Sequence, residues 1–231
     1  MAKSLTYMNK KITKYEETYF KGDKSTYTRS YEYKAGNIAT VYQERAVDVL
    51  KRYTTSKAKV LDVACAFGDL LSLLDSDTYA TYGIDISNYA LARAKKNTKA
   101  HLIQGDLNKK LPYQNNFFDV IFALDIIEHV ESPHLFLLEL ERILKKRGIL
   151  FIQTPNINSI FERFAKEKWF GYQDDTHLHL FTRKSLQFLL KQSEFSILTN
   201  QTFAAPFPKV IRTLIKNTDI GGNLWVVAQK K

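Results

Sequence analysis

The residues best suited to proton transfer follow an almost continuous apolar segment, FFDVIFAL, and they are Asp125, Glu128 and His129. A second histidine, His177, lies in the segment THLHLFT. A neutral imidazole accepts a proton near pH 7, so His129 and His177 are the candidate catalytic bases. The sequence leaves a second interpretation open, in which both histidines only tie loops down through hydrogen bonds.

The same cluster could also bind a divalent cation. Asp125, Glu128 and His129 occupy one loop-to-helix turn, and His177 would complete a set of two carboxylates and two imidazoles. Oxygen and imidazole ligands of this kind suit several divalent metals. A metal is therefore an open alternative, although it is not the favoured one.

A turn of small residues after a hydrophobic run is the second chemically suggestive stretch, AKVLDVACAFG. The aliphatic and β-branched residues around Asp62 predict a strand that is buried on both faces. Ala64, Ala66 and Gly68 follow at alternate positions, so the backbone there can approach a ligand closely. The segment DLLSLL, which begins at Asp69, predicts the first turns of a helix whose amides point at that ligand. These elements form half of a nucleotide-binding unit of the doubly wound type.

Two further acids stand at the ends of predicted strands. Asp85 lies 17 residues after Gly68, about the distance at which an acid reaches a ribose in doubly wound folds. The alternative role for Asp85 is to cap the next helix. Asp106 follows HLIQG, where it could accept a hydrogen bond from an adenine amino group while Leu107 packs on the ring. The alternative for Asp106 is an ordinary acid of a surface loop.

The elements that must position these residues alternate between strand and helix patterns. Strands are predicted over 60–63, 79–86, 101–104, 117–124, 149–153, 195–202 and 224–229. Helices are predicted over 38–53, 88–96, 133–146 and 182–191. Lys145, Lys146 and Arg147 would end the third of these helices, where basic residues suit the helix dipole. The predicted fold is α/β: a doubly wound, seven-stranded, mostly parallel sheet with an antiparallel last hairpin.

The N-terminal region is rich in tyrosine, since eight of the thirteen tyrosines lie within residues 1–57. They could form a lid over a pocket, or they could be ordinary packing residues with solvated hydroxyls. We therefore divide the chain into an N-terminal helical or lid segment, 1–57, and a ligand-binding domain, 58–231. Substrate-covering insertions are expected at about 156–181 and 203–223.

The net charge of +10 is unevenly spread, with +7 in residues 1–60, −3 in 61–162 and +6 in 163–231. Basic ends favour anionic partners such as phosphorylated metabolites or RNA, although lysine-rich surfaces also occur without such partners. The single cysteine, Cys65, allows no intrachain disulfide. No segment resembles a signal peptide or reaches the length of a membrane span, so we expect a cytoplasmic protein. The oligomeric state is not predicted.

Five segments in a fixed order resemble the class I S-adenosylmethionine-dependent methyltransferases, from about residue 38 to the C-terminus. These segments are VLDVACAFGDLL, GIDIS, GDL, FFDVIFALDIIEHV and LERILKKRGILFIQTPN. The first is similar to the family's glycine-rich motif, with Ala64 and Ala66 at two of its three glycine positions. The resemblance implies a Rossmann-like fold, S-adenosylmethionine as cofactor and S-adenosylhomocysteine as product.

The resemblance also implies roles by position. Asp62 would orient the turn and bind the amino group of the cofactor, directly or through water. Ala64, Ala66 and Gly68 would line its methionine and ribose, and Asp85 would bind the ribose hydroxyls. The remaining implied contacts are Ile86 against adenine, Asp106 and Leu107 around the base, and Ala123 and Leu124 facing the sulfonium.

The acceptor implied by the resemblance is a small molecule that is methylated at oxygen. The protein must align that acceptor in line with the methyl group, and a hydroxyl acceptor must also lose its proton, for which His129 and His177 are the candidates. Some quinone-pathway O-methyltransferases and RNA 3′-end methyltransferases have a Glu-x-x-Glu-His pattern. Here Asp125 replaces the first glutamate, so the match to a metal-binding pattern is partial.

Three other functions share part of this pattern. An NAD-dependent oxidoreductase is disfavoured, because its Gly-x-Gly-x-x-Gly turn is replaced by Ala-x-Ala-x-Gly after an aspartate. A base-modifying RNA methyltransferase is less favoured, because LDIIEH stands where the Asn/Asp-Pro-Pro-aromatic motif would follow the fourth strand. A catalytically inactive cofactor-binding relative remains open, since Ala64 and Ala66 narrow the approach to the turn.

Overall fold

The structure is a computed structural model that describes residues 15, 17–21, 38–54, 57–74, 76–203 and 209–231. The helices in these ranges are α1 (Glu17–Lys21), α2 (Ile38–Tyr53), α3 (Asp69–Ser72), α4 (Asn88–Asn97), α5 (Pro133–Ile143), α6 (Ile160–Ala165), α7 (Phe170–Gln173), α8 (Arg183–Gln192) and α9 (Lys209–Ile215). The strands are β1 (Lys59–Val63), β2 (Ala80–Asp85), β3 (His101–Gln104), β4 (Phe118–Leu124), β5 (Leu144–Pro155), β6 (Phe195–Phe203) and β7 (Asn223–Lys230).

The seven strands form one sheet in the order β3-β2-β1-β4-β5-β7-β6. Strands β1 to β5 pair in parallel, whereas β7 runs antiparallel to both β5 and β6. The predicted seven-stranded, mostly parallel sheet with an antiparallel last pair is confirmed. Because the chain order reverses between β1 and β4, the carboxyl ends of these two strands border the crevice in which doubly wound folds bind ligands.

Helices cover both faces of the sheet, so its central strands are buried on both sides. Leu61 and Ile121 face a hydrophobic cluster that includes residues of α5 and α8. Val60 and Phe122 face a second cluster that includes residues of α2 and α3. Burial on both faces accounts for the nearly continuous apolar runs of β1 and β4.

Several helix boundaries follow the sequence pattern closely. Helix α2 has the predicted bounds, Ile38–Tyr53. Helix α8 begins after Thr182, whose side chain accepts a hydrogen bond from the Ser185 amide in a capping box. Such a cap satisfies amides that the first turn of the helix leaves without partners, which fixes the start of the helix.

The predicted C-terminal ends of two helices are wrong. Helix α5 ends at Ile143 and β5 begins at Leu144, so the Lys145–Arg147 run lies in a strand and not at a helix end. Lys145 donates through Nζ to Asp119 at 2.7 Å, and Arg147 has a left-handed φ of 63°, which no α-helix tolerates. Helix α3 ends at Ser72 and not at Leu74. The dipole argument for the basic run therefore does not hold.

Residues 156–181, the first of the two predicted insertions, contain α6, α7 and a short 3-10 turn, Lys166–Lys168. An isolated parallel bridge joins Asn156 to Phe181 and holds the two ends of this segment together. Across the ranges that the structure describes, no helix has both the length and the apolar character needed to cross a membrane.

Candidate active site

The turn after β1 has a left-handed backbone at alternate residues. Ala64, Ala66 and Gly68 have φ angles of 60°, 44° and 75°. This conformation costs a residue with a Cβ roughly 1–2 kcal/mol, so the two alanines are strained where glycine would not be. A Cβ on Gly68 would also lie 3.0 Å from Cγ2 of Thr98, so a larger residue here would crowd that side chain. The alternation of small residues thus reflects the left-handed backbone as well as the close approach of that backbone to a ligand.

Asp85, at the end of β2, binds this turn through its side chain. Its Oδ2 accepts a hydrogen bond from the amide of Ala66 at 2.9 Å, and its Oδ1 accepts one from the amide of Ser87 at 2.8 Å. The carboxylate is buried. The cap of α4 is Ser87, whose hydroxyl accepts from the Ala90 amide at 3.1 Å, so Asp85 is not that cap.

Asp62 is buried beside Asp85, and its environment disfavours its charge. Burial raises the pKa of Asp62 well above its usual range, and the negative charges of Asp85 and Asp69 raise it further. The neighbouring charges that raise the pKa of Asp62 are therefore negative. A cation bound in the crevice would relieve the repulsion among these three carboxylates.

We expect the substitution Asp62→Asn to stabilise the ligand-free protein at pH 7. Where the folded-state pKa of a carboxyl is raised, stability is lost as the pH rises above its unfolded pKa of about 3.9, because the unfolded chain releases a proton that the folded chain keeps. Asparagine carries no such penalty. Calorimetric melting at pH 7 should show a higher Tm for the variant than for the wild-type protein, and this difference in Tm should be smaller at pH 4.5. Each kcal/mol of stabilisation should raise Tm by about 2–4 °C. Equal differences at the two pH values would contradict the shift.

Asp106 is buried and does not lie on a surface loop. Its Oδ1 accepts hydrogen bonds from the Asn108 amide at 3.0 Å and from Asn108 Nδ2 at 3.1 Å, which fixes the turn after β3. Leu107 is buried in the cluster that packs with α5. Ile86 is half-buried, and its carbonyl accepts a hydrogen bond from Gln104 Nε2 at 3.0 Å.

Ala123 and Leu124 differ in their surroundings at the end of β4. Ala123 is paired with Val63 on one side and with Ile152 on the other, and its side chain is wholly buried in the core. Leu124 is half-buried. A ligand at this strand end could therefore meet the side chain of Leu124, whereas Ala123 has no exposed surface.

Glu128 and Asp125, which follow β4, have opposite environments. Asp125 is exposed and accepts a hydrogen bond from Gln153 Nε2 at 2.9 Å. Glu128 is buried, and its Oε2 accepts from the Thr154 hydroxyl at 2.9 Å, whereas its Oε1 has no hydrogen-bond partner within the described ranges. Burial, and then the charge of Asp125, raise the pKa of Glu128 well above its usual range.

The two predicted histidines meet in space although 48 positions separate them in the sequence. The centroids of the His129 and His177 rings lie 4.7 Å apart. Potential ligand atoms of Glu128, His129 and His177 lie within 4.8 Å of one another, so a divalent cation would find three of its four predicted ligands here. Asp125 is not part of this group.

Asp174 is a buried member of this cluster to which the sequence pattern assigned no role. Its Oδ1 accepts hydrogen bonds from the Thr176 amide at 2.9 Å and from the Thr176 hydroxyl at 2.5 Å. Burial raises the pKa of Asp174, but the bonds from Thr176 and the nearby His129 and His177 outweigh it and hold that pKa below its usual value. The Asp-x-Thr spacing, typical of a side chain that closes its own turn, was the available signal.

Part of the N-terminal region reaches both ends of the site. Phe20 of α1 is buried, and its ring centroid lies 4.9 Å from that of Phe67 and 5.9 Å from that of Tyr89. Tyr15 lies near Asp174 and Thr176, and burial, with the charge of Asp174, raises the pKa of Tyr15 to about 12. Tyr7, Tyr27, Tyr31 and Tyr33 lie outside the described residues.

A cavity of about 750 Å³ lies beside the histidine cluster and not within it. His134, His179, Phe181 and Phe188 are among the residues that line it. It contains none of the candidate catalytic or cofactor-binding residues. The site is thus defined by converging polar side chains at the strand ends and not by this cavity.

The fold and the site together define a class of protein. A sheet in this order, with an acid at the ends of β1 and β2 and a left-handed turn between them, is the Rossmann-like methyltransferase fold. Residues 38–200 match a protein family described as the methyltransferase domain. The chain therefore belongs to the methyltransferase domain family, whose cofactor is S-adenosylmethionine.

Known relatives agree on the family and differ in their acceptors. A ubiquinone biosynthesis O-methyltransferase of Pelagibacter ubique (strain HTCC1062) is 34% identical over 101 residues, which are 42% of this chain and 42% of that protein. The match therefore spans less than half of that relative. A malonyl-[acyl-carrier protein] O-methyltransferase of Enterobacter lignolyticus (strain SCF1) is 25% identical over 185 residues, 78% of this chain and 71% of that protein.

Solved structures share the fold at low identity. A crystal structure from Thermotoga maritima, described as an S-adenosylmethionine-dependent methyltransferase and possible histamine N-methyltransferase, has a TM-score of 0.66 and 18% identity. The similarity covers 85% of this chain and 91% of that chain. At this identity the likeness is evidence for the fold alone.

Proposed function

We propose that this protein transfers a methyl group from S-adenosylmethionine to a hydroxyl or carboxyl oxygen of a small molecule. The single observation that carries the proposal is the bond between Asp85 and the turn after β1. This bond joins the carboxylate at the end of β2 to the strained backbone of the turn after β1, so both lie at the same edge of the crevice.

The residues of the crevice fit the proposed cofactor. Asp85 would hold the ribose hydroxyls, because charge-assisted hydrogen bonds of this kind are short and strong. Asp62 would hold the amino group, whose positive charge offsets the repulsion that Asp62 experiences from Asp85 and Asp69. Gly68 leaves room for the backbone of the turn to approach the cofactor. The bound cofactor supplies a methyl group that already carries a good leaving group, so the chain must only bind, orient and deprotonate the acceptor.

The proposed catalytic bases are His129 and His177. Nδ1 of His177 lies 2.7 Å from the carbonyl oxygen of Gly171, and that of His129 lies 2.7 Å from the Thr176 hydroxyl. Both rings are therefore held in fixed orientations at the end of β4, where the acceptor of a methyltransferase fold would bind. A base positioned in this way favours an oxygen acceptor, since a hydroxyl must lose its proton as it is methylated.

The relatives guide the choice of acceptors for a test. Purified protein would be incubated with methyl-labelled S-adenosylmethionine and, separately, with 3,4-dihydroxybenzoate, a malonyl thioester and total RNA. We expect labelled methyl ether or methyl ester and no labelled RNA, with the product identified by mass spectrometry. Labelled RNA would support the nucleic-acid alternative, and binding of the cofactor without transfer to any acceptor would support an inactive relative. Calorimetry that detects no binding of S-adenosylmethionine would overturn the proposal.

We also propose that Tyr15 and α1 (Glu17–Lys21) act as a lid over the cofactor crevice. Their contacts support this role, because Phe20 packs against Phe67 of the turn while Tyr15 reaches Thr176 beside the histidines. A segment bound at both places would shield the reacting methyl group from water.

We expect Phe20→Ala to weaken the binding of S-adenosylmethionine about tenfold, mainly through faster dissociation, since a tenfold change corresponds to roughly 1.4 kcal/mol. Phe164→Ala is the matched control, because Phe164 is 82% exposed on α6. Stopped-flow dissociation measures both variants. Equal rates for the two would show that Tyr15 and α1 do not retain the cofactor.

A further inference from the structure

The hydroxyl of Thr176 lies at the centre of a hydrogen-bond network beside the proposed base. It is 2.5 Å from Asp174 Oδ1 and 2.7 Å from His129 Nδ1. Thr176 is buried. A threonine hydroxyl offers one donor and two acceptor sites, so it can donate to one of these partners and accept from the other.

The direction of each bond follows from the chemistry of the partners. Asp174 Oδ1 also accepts the Thr176 amide, so this oxygen is the acceptor of the turn, and the proton of the Thr176 hydroxyl points to it. The oxygen of Thr176 then accepts from His129 Nδ1, which lies 2.7 Å away. Nδ1 of His129 must therefore carry a proton.

A second contact requires the same tautomer independently. Nδ1 of His129 also lies 3.2 Å from the carbonyl oxygen of Thr176. A carbonyl oxygen cannot donate, so this contact is favourable only if Nδ1 is protonated. In the neutral ring the unprotonated nitrogen is then Nε2.

We propose that Thr176 and Asp174 are positioning residues that hold His129 as the Nδ1–H tautomer, so that Nε2 is the nitrogen that takes a proton from the acceptor. The assignment of Nε2 to proton transfer rests on the proposed function, whereas the tautomer does not. Asp174 acts through Thr176 and makes no direct hydrogen bond to His129, as in relays in which an acid orients a base.

The ionisable groups around His129 come from three segments. They are Glu128 next to it, Asp174 and His177 of the 156–181 segment, and Tyr15. Of these, Asp174 is linked to Nδ1 of His129 through the Thr176 hydroxyl. Nδ1 of His177 contacts the carbonyl of Gly171, and its Nε2 lies 3.9 Å from Asp174 Oδ2. Both contacts of Thr176 with Nδ1 of His129 favour the same tautomer.

Nitrogen-15 NMR of the histidine rings tests the proposal without cofactor or acceptor. In the protein labelled at its five histidines, the His129 signal is assigned by its loss in His129→Gln. We expect a protonated Nδ1 and an unprotonated Nε2 at pH 7.5 in the wild-type protein. Observation of the Nε2–H form in the wild-type protein would overturn the proposal, whether or not any variant folds.

Two variants of nearly equal size then separate the hydroxyl from packing. Thr176→Val removes the hydroxyl at nearly constant volume, and we expect the ratio of the Nδ1–H to the Nε2–H form to fall about tenfold, as for loss of one hydrogen bond. Thr176→Ser retains the hydroxyl and should restore the ratio. An unchanged ratio in Thr176→Val, or a reduced ratio in Thr176→Ser, would contradict the proposal.

The activity assay distinguishes this proposal from the proposed function. If 3,4-dihydroxybenzoate is methylated, Thr176→Val should lower kcat about tenfold, leave KM for S-adenosylmethionine unchanged and be rescued by Thr176→Ser. If no acceptor is methylated, the NMR result still decides the tautomer. A failure of the relay would likewise leave cofactor binding at Asp85 untouched.

Discussion

Substitution of Asp85 by alanine should weaken the binding of S-adenosylmethionine at least 100-fold in a calorimetric titration. The carboxylate would lose two hydrogen bonds to the ribose, and bonds to a charged group contribute roughly 1.5–3 kcal/mol each. The side chain also holds the amides of Ala66 and Ser87, so its removal would loosen the turn after β1 as well. The loss of repulsion on Asp62 works in the opposite direction and helps the variant to fold.

Two further variants make the Asp85 result interpretable. Asp119→Ala is the matched control, because Asp119 also accepts a backbone amide, that of Lys59 at 2.8 Å, but lies at the opposite end of the sheet. Asp85→Asn retains one acceptor oxygen and should show an intermediate affinity. An unchanged affinity in both Asp85 variants, with Tm close to that of the wild-type protein, would disprove the ribose assignment.

Substitution of His129 by glutamine should lower kcat for 3,4-dihydroxybenzoate by about 10²–10⁴, the usual contribution of a positioned general base. Glutamine can still donate a hydrogen bond towards Thr176, so the loop should keep its shape. The affinity for S-adenosylmethionine should stay within about twofold of the wild-type value, because His129 touches neither Asp62 nor Asp85 in the proposed site. Initial rates and calorimetry together measure the two effects.

The control for the His129 variant is His101→Gln. His101 is exposed on β3, where its ring stacks on Tyr82 at 5.1 Å. This variant should have the wild-type rate. A His129→Gln enzyme that is equally active would assign the histidine a structural role only.

The same assay separates a base from a metal ligand. Glu128, His129 and His177 are close enough to hold a divalent cation, so a metal-dependent enzyme would also lose activity in His129→Gln. Dialysis against EDTA distinguishes the two, and we expect it to change neither the rate nor Tm. Loss of activity on dialysis, with recovery on addition of Mg²⁺ or Zn²⁺, would instead show that the histidines are ligands.

The crevice itself could be predicted from the sequence because its determinants are local. Each parallel strand is a short apolar run, and the residue that ends the run lies at the carboxyl edge of the sheet wherever the strand falls in the order. Asp62, Asp85 and the small-residue turn therefore follow from strand patterns alone. The left-handed φ angles of Ala64 and Ala66 did not follow, since alanine carries no signal for that conformation.

The boundary between α5 and β5 shows where a local pattern fails. LKKRG reads as the end of a helix because basic residues and glycine commonly end helices. Pairing with β4 prevails, as Leu144 aligns with Phe118 and Lys145 binds Asp119. Hydrogen bonds and burial from a neighbouring strand outweigh helix propensities of a few tenths of a kcal/mol per residue.

By itself, the sequence determined the order of elements, the strand-end acids and the two histidines as candidate bases. Only the tertiary structure brought His129 and His177 together, added Asp174 and Thr176, and placed Phe20 on Phe67. The physical reason is the range of the interactions. Periodicity and capping act over a few residues, whereas the network around Thr176 joins segments far apart in the chain, whose meeting is decided by how β4, the 156–181 segment and α1 pack.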